Sequence, residues 1–242
     1  MGPHAVRRTG DSVKMPAGCR QGDTPYVIEQ PAILARGPWP VDRVEVVWRE
    51  DEFDPGAGHV TAADEAISAL RDRGSPSHDG IAARLAAHTV EVDGRLRLEL
   101  QPIRWALRLV EGDASDSVAA MTIIRDGDGR WLAGRRASWV ASWAGRWALG
   151  AGGAVDPFEN PVDTLSREMH EEWQLEPDRV QVEALIRLPQ SLIMFIGQAW
   201  VPAQSEVVMD HEHDAYAWWP PDPADWPEEA DEPLRRVGEM LR

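Results

Sequence analysis

The strongest local constraint in the chain is the run Asn160-Pro161-Val162-Asp163, which marks where a helix begins. Asn is a favoured N-cap, and Pro is favoured at the first helical position, where its missing N–H costs nothing. Asp163 then puts negative charge into the first turn, where the helix dipole favours it. Pro177 disfavours continuation past Glu176. At 100° per residue, Val162, Leu165, Met169 and Trp173 form one stripe, and Glu168, Glu171 and Glu172 form a neighbouring one. The spacing therefore predicts a helix that packs by its apolar side and presents three carboxylates beside it. Like charges at i, i+3 and i+4 destabilise a helix by a few tenths of a kcal/mol per pair. A hard divalent cation, which takes oxygen ligands, would offset that repulsion; the plain alternative is a solvated acidic face.

The rest of the chain limits what such a helix can serve. The chain has 242 residues, with 25 Lys and Arg against 41 Asp and Glu, a formal net charge of −16. That balance argues against a nucleic-acid partner, which needs a basic face. A phosphate-bearing small molecule stays open, because a metal ion can bridge acid to acid. Lys14 is the only lysine, so local positive charge must come almost wholly from arginine. Cys19 is the sole cysteine, so neither an internal disulfide nor a Cys metal cluster can form. The N-terminal stretch lacks a continuous apolar segment of the secretory kind, and no run approaches a membrane span. A soluble, cytoplasmic protein without a membrane partner is the expectation.

Three regions follow from composition. Residues 1–23 mix Gly, Pro, Arg and polar residues without periodicity and read as a flexible tail. Residues 24–112 read as an α+β region. It has strand-like runs at "YVIEQPAILARG" and "RVEVVWRE", a helix at "TAADEAISALRDRG" with Thr61 as cap and Gly74 as stop, and strands around a hairpin turn at Asp93-Gly94. The polar stretch at 111–117 marks a boundary. Residues 117–242 then read as strand, turn at "DGDG", strand, Gly-rich turn, carboxylate helix, two strands and a closing helix.

The segment from Gly153 to Leu175 resembles the Nudix box, G-x5-E-x7-R-E-U-x-E-E-x-G-U, where U is a bulky apolar residue. The matches are Gly153, Glu159, Arg167, Glu168, Met169, Glu171, Glu172 and Leu175, and Gln174 stands where the family has Gly. At about one chance in fifteen per position, the six Gly, Glu and Arg matches arise on the order of 10⁻⁷ per starting point. The approach "GRWALGAGG" is similar to the family's G-x-W-x-x-P-G-G, with Ala151 in place of Pro. The resemblance covers about residues 117–220. Gly just past a helix end often takes a left-handed conformation, and a residue with a Cβ is strained there by ~1 kcal/mol.

The resemblance implies an α/β fold, a Nudix α/β/α sandwich with a mixed sheet, preceded here by the α+β N-terminal region. It implies a Mg²⁺- or Mn²⁺-dependent hydrolase that cleaves the pyrophosphate of a nucleoside diphosphate derivative. Divalent cations neutralise phosphate oxygens, orient the bridge and acidify water. Glu171 and Glu172 become the main metal ligands, with Glu168 beside them and Glu159 as a further ligand or a supporting group. Arg167 matches the Arg that holds a box glutamate in place. A carbonyl of Gly152 or Gly153 can approach the metal because no Cβ blocks it.

Outside the box the sequence offers weaker candidates. Glu212, on a late loop before "AYAWW", competes with Glu168 for the role of general base, and Glu168 is favoured because it lies on the carboxylate stripe. His211 and His213 in "HEHD" read as solvated loop residues rather than ligands. Arg135 and Arg136 end a strand and are candidates to contact phosphate, against simple surface charge. Trp147 could stack on a nucleobase, although core packing is the commoner fate of such residues. In the N-terminal region, "TAADEAISALRDRGSPSHDGIAARL" is faintly similar to the leader of Nudix proteins that hydrolyse UDP-sugars. A nucleotide sugar is therefore the first substrate expectation. The alternative for this region is a structural extension that covers the sheet or makes a homodimer. A catalytically silent, ligand-binding Nudix protein is the alternative for the whole.

Overall fold

The structure is a computed structural model, and it describes residues 31–74, 79–110, 115–140, 143–188 and 192–242. The tail read at 1–23 lies outside these residues.

Eleven strands and three α-helices are described. The large sheet is built from β1 (Ala32–Pro40), β5 (Val118–Asp126), β6 (Trp131–Arg136), β7 (Trp147–Leu149), β8 (Ala151–Ala154), β9 (Arg179–Arg187), β10 (Ile193–Val201) and β11 (His213–Trp219). Its path runs β1-β9-β10-β5-β6-β11. The β10–β5 pair is parallel and the other pairs are antiparallel, so the sheet is mixed. β5 and β6 touch only at Arg125 and Trp131 and then diverge. The chain from β7 to β8 fills the opening, with β7 on β6 and β8 on β5. Gly150 makes the change of partner. Its φ is +63°, and a Cβ there would lie 1.7 Å from the Thr122 carbonyl oxygen, so only glycine fits.

Alternation along the strands separates two cores. On one face, Ile124, Leu132 and Ala199 pack with Met169 and Trp173 of helix α2 (Pro161–Trp173). On the other, Ile123, Trp131, Ala133 and Ile196 pack with Trp219, Trp226 and Leu234, the last from helix α3 (Glu232–Met240). Helices on both faces of a mixed sheet make the α/β/α sandwich expected from the sequence.

A second sheet, β2 (Val44–Trp48), β4 (Leu96–Arg104) and β3 (Ile81–Val90), has the order β2-β4-β3. Leu96, Leu98 and Leu100 point from β4 into the core shared with Leu165, Val182 and Phe195. Ile103 and Ala82 point the other way, onto Ala63, Ile67 and Leu70 of helix α1 (Ala57–Asp72). Thr61 does not cap α1. The helix starts four residues earlier, after Gly56, and the Thr61 hydroxyl donates to the Ala57 carbonyl from inside it. Sheet membership also crosses the boundary drawn from composition, because β1 hydrogen bonds to β9 and so completes the large sheet. A polar run in a sequence says nothing about which sheet the upstream strands join.

Candidate functional site

The carboxylate helix forms as its sequence dictates. The Asn160 side chain accepts from the Val162 N–H at 3.0 Å, Pro161 is the first helical residue, and Leu165, Met169 and Trp173 are fully buried. Two polar bonds fix α2 against the sheet. The Trp173 indole donates to the Gly150 carbonyl at 3.0 Å, and the Thr122 hydroxyl donates to the Leu165 carbonyl at 2.7 Å. The helix ends at Gln174 in the left-handed region, with φ 52° and ψ 36°, at the position where glycine was expected.

The three stripe glutamates fare differently. Glu168 and Glu172 are buried, whereas the Glu171 side chain is 56% exposed. The helix lies on the Gly-rich strand β8, and this sorts them. A Cβ at Gly153 would sit 2.3 Å from Glu168 Oε1, so the bare backbone of that residue makes the space the carboxyl occupies. The Gly152 N–H donates to Glu172 Oε1 at 3.2 Å.

Arg167 organises the acids around it. Its Nε donates to Glu159 Oε1 at 2.9 Å, and Nη1 donates to Glu168 at 2.7 Å and to Glu171 at 3.2 Å. Its Nη2 donates to the Ala154 carbonyl and to Glu159 Oε2, both at 3.1 Å. Glu159 also accepts from the Thr164 hydroxyl at 2.7 Å and from the Asp156 N–H at 3.1 Å. Both Glu159 oxygens are thus engaged in holding Arg167, which makes this residue an anchor for the guanidinium. Burial raises the Glu159 carboxyl, but the Arg167 and Thr164 bonds outweigh it and hold the group below its ordinary value.

Burial also governs the other two acids. It pushes the Glu168 carboxyl up to about 7, with Arg167 opposing. It pushes Glu172 well above the ordinary value, with only the Gly152 N–H and Arg136 opposing among the larger influences. Two neighbouring buried carboxylates short of positive charge are costly unless neutralised. Their donor set is hard oxygen beside unhindered glycine backbone, which fits Mg²⁺ or Mn²⁺. Glu168 and Glu172 would hold such an ion. Among the described residues, no three His, Cys, Asp or Glu side chains stand in a metal-holding arrangement.

The late loop closes over the end of α2. The Val208 and Asp210 N–H groups donate to the Trp173 and Glu172 carbonyls at 3.1 and 2.9 Å, satisfying groups the helix leaves open. His213 consequently is not a solvated loop residue. It is buried, its ring lies 4.4 Å from that of Trp173, Nδ1 is 3.0 Å from Asp210 Oδ1, and Nε2 is 3.9 Å from Glu172 Oε2. A register shift between His213 and Ala215 turns this side chain toward α2. Burial lowers its pKa, with Asp210 opposing. His211 stacks on Trp139 at 5.3 Å. Nothing local in "MDHEHD" signals these placements, which depend on where the helix carbonyls lie.

The remaining candidates divide by face. Arg136 lies on the α2 side, where its charge acts on Glu172 and His213, and its guanidinium pairs with Glu212 at 3.0 Å. Arg135 projects from the opposite side of β6 and is bound to Asp214 at 2.6 Å. Trp147, beside Arg135 in the β6–β7 pairing, packs 5.6 Å from Trp219 in the core under α3. The structure therefore gathers Glu168, Glu172, Arg167, Glu159, Gly152, Arg136 and Glu212 on one face and leaves Arg135 and Trp147 on the other.

Several solved structures are similar. The MutT protein from Methanosarcina mazei Go1 is 24% identical, with a TM-score of 0.40, over 52% of this chain and 91% of that one. A MutT NUDIX hydrolase from Burkholderia pseudomallei is 23% identical, with a TM-score of 0.44, over 52% of this chain and 98% of that one. DR0079 from Deinococcus radiodurans is 15% identical, with a TM-score of 0.47, over 67% of this chain and all of that one. No curated protein matches the chain. The model of the NUDIX domain matches residues 116–240, and the chain belongs to that family.

Proposed function

We propose that the protein is a Mg²⁺- or Mn²⁺-dependent cytoplasmic diphosphohydrolase that cleaves the pyrophosphate of a nucleoside diphosphate derivative. The observation that carries this reading is the burial of Glu168 and Glu172 against the Gly152-Gly153 backbone with too little positive charge around them. A bound divalent cation supplies the missing charge, neutralises phosphate oxygens and acidifies water. The chain's own residues do the rest. Glu172 and Glu168 hold the ion. Arg167, fixed by Glu159, keeps Glu168 in place. Glu168, buried beside the Gly153 backbone, is the carboxylate assigned to take a proton from attacking water. Arg136, steadied by Glu212, is the arginine best placed to meet a phosphate oxygen.

The substrate reading is broader than the chemistry. In the N-terminal region, Asp64 and Asp79 both pair with Arg104, and Asp79 also accepts from the Ala106 N–H at 3.1 Å. These residues hold β4 and α1 together, so the stretch that resembles UDP-sugar hydrolases has a structural use of its own. A nucleotide sugar stays the first compound class to assay. The rival is a ligand-binding Nudix protein without turnover. One observation favours it, namely that no three His, Cys, Asp or Glu side chains are arranged to hold a metal ion among the described residues.

A coupled phosphate-release screen decides between them. Nucleotide sugars, dinucleotides, CoA and oxidised triphosphates are each assayed with Mg²⁺ and with Mn²⁺. At least one should turn over only with metal. Binding of nucleotides with no turnover in either metal would establish the rival.

A further inference from the structure

The indole expected to stack on a nucleobase, Trp147, packs in the core under α3, so that role falls to another aromatic side chain. The loop that carries Glu159 holds one. Asp156, Pro157, Phe158 and Glu159 form a tight turn, closed by the Glu159 N–H donating to the Asp156 carbonyl at 3.1 Å. Pro157 fixes the first central φ at about −65°. Phe158 takes φ +66° at the second central position. That combination is a type II turn, whose second central position calls for Gly or Asn. A bulky side chain is strained there. Phe158 is nevertheless 70% exposed, more than Trp139, Trp143 or Tyr216, so burial returns little for the strain. Strain that packing does not explain points to a functional role.

We propose that Phe158 and Trp48 form an aromatic shelf on which the nucleobase of the nucleoside diphosphate derivative stacks. Their rings stand 5.2 Å apart at 48°. Trp48, the last residue of β2, packs on the core and donates its indole N–H to the Glu159 carbonyl at 3.1 Å, so that half of the shelf is fixed. The shelf also lies beside the carboxylates. Glu159 follows Phe158 in the chain, its side chain holds Arg167 at 2.9 Å, and Arg167 holds Glu168 at 2.7 Å. A single guanidinium thus separates the shelf loop from the group assigned to the chemistry, an interval that the ribose and phosphates of a nucleotide span. Trp139 and Trp143 are exposed too, but the His211 ring is stacked on the first and the Arg146 guanidinium lies over the second. An aromatic face stacks on any base, and a purine offers it more area than a pyrimidine. The shelf therefore accepts both classes and holds purines more tightly. Trp48 belongs to the second sheet, so the N-terminal region takes a direct part in binding substrate.

The inference rests on the nucleotide reading proposed above, and its test separates the two. Binding of ADP and of inorganic pyrophosphate, each with Mn²⁺, is measured by calorimetry in the wild type, Phe158→Gly, Phe158→Tyr and Trp139→Ala, with Tm recorded for each. Phe158→Gly should raise Tm by about 2–4 °C, because glycine fits the turn without strain. The same variant should bind ADP roughly 5- to 100-fold more weakly and pyrophosphate as the wild type does. Phe158→Tyr, which keeps an aromatic face, should retain ADP. Pyrophosphate binding reports that the carboxylate site is intact, so misfolding cannot pass for loss of the shelf. Unchanged ADP affinity in Phe158→Gly, equal losses of ADP and pyrophosphate, a lowered Tm in that variant, or an ADP loss confined to Trp139→Ala overturns the inference and leaves the hydrolase reading standing. The expected ADP pattern with no turnover of any compound in the screen overturns the hydrolase reading and leaves the shelf. Failure of the wild type to bind either probe overturns both.

Discussion

The buried Glu168 makes the stability of the metal-free protein depend on pH in a direction that can be worked out. Its carboxyl is raised from an ordinary 4.5 to about 7. Between those values the folded state holds a proton that the unfolded chain has lost, so the folded state binds more protons. The stability contributed by Glu168 is therefore fully present below about 4.5 and is lost as pH rises through about 7. At about 1.4 kcal/mol per pH unit, the full span corresponds to about 3 kcal/mol. For a chain of this size that is roughly 6–12 °C in Tm. Glu172, raised in the same direction, adds to the slope. His213, lowered by burial, acts in the opposite sense below neutrality. Comparison with a variant removes that background. Thermal unfolding followed by circular dichroism in EDTA, from pH 5 to 7.5, should show a falling Tm in the wild type and a shallower fall in Glu168→Gln. Equal slopes in the two proteins, or a steeper fall in Glu168→Gln, would refute the assignment of Glu168 as a buried acid short of positive charge.

Three further outcomes follow from the same geometry. Millimolar Mn²⁺ at pH 7.5 should raise the wild-type Tm by several degrees through mass action and leave the Glu168→Gln, Glu172→Gln double mutant nearly unmoved; identical behaviour of the two counts against the metal site. Gln174→Gly should stabilise by ~1 kcal/mol, because Gln174 holds a left-handed conformation that glycine adopts without strain, and a lower denaturation midpoint in urea would contradict this. Trp48→Phe should lower turnover more than stability, since the Trp48 indole donates to the Glu159 carbonyl at 3.1 Å and so braces the loop that anchors Arg167; unchanged kcat with a lowered Tm would make Trp48 purely a packing residue.

Helix α2 was legible in the sequence because its signals are local. The cap, the first-turn proline, the apolar stripe and the strained exit at Gln174 all act within a few residues of one another. The division of the three glutamates was less legible. Angles around a helix place Glu168, Glu171 and Glu172 together, but only the position of strand β8 decides that two are covered and one is not. Glu159 fits the spacing of a ligand, yet Arg167 and Thr164 occupy its oxygens, and no one-dimensional pattern reports such competition. His213 was misread for a related reason. Its loop is polar and short, and its burial follows from capping the far end of α2 and from a register shift in β11. The membership of β1 in the large sheet is likewise a long-range pairing that strand propensity alone does not specify. No helix among the described residues is long and apolar enough to cross a membrane.

The central claim is that Glu172 and Glu168 act on a pyrophosphate through a metal ion, one chiefly as ligand and the other chiefly as base. Steady-state rates of Glu168→Gln, Glu172→Gln and Glu212→Gln, each across a Mn²⁺ titration with one substrate from the screen, test it most directly. Glu172→Gln should lose orders of magnitude in rate and recover in part at higher Mn²⁺. Glu168→Gln should lose ~10²–10⁴-fold with no recovery. Glu212→Gln should show the smallest loss, since that carboxylate steadies Arg136. Near-wild-type rates for Glu168→Gln with collapse of Glu212→Gln would transfer the base to the loop, and near-wild-type rates for all three would contradict the account.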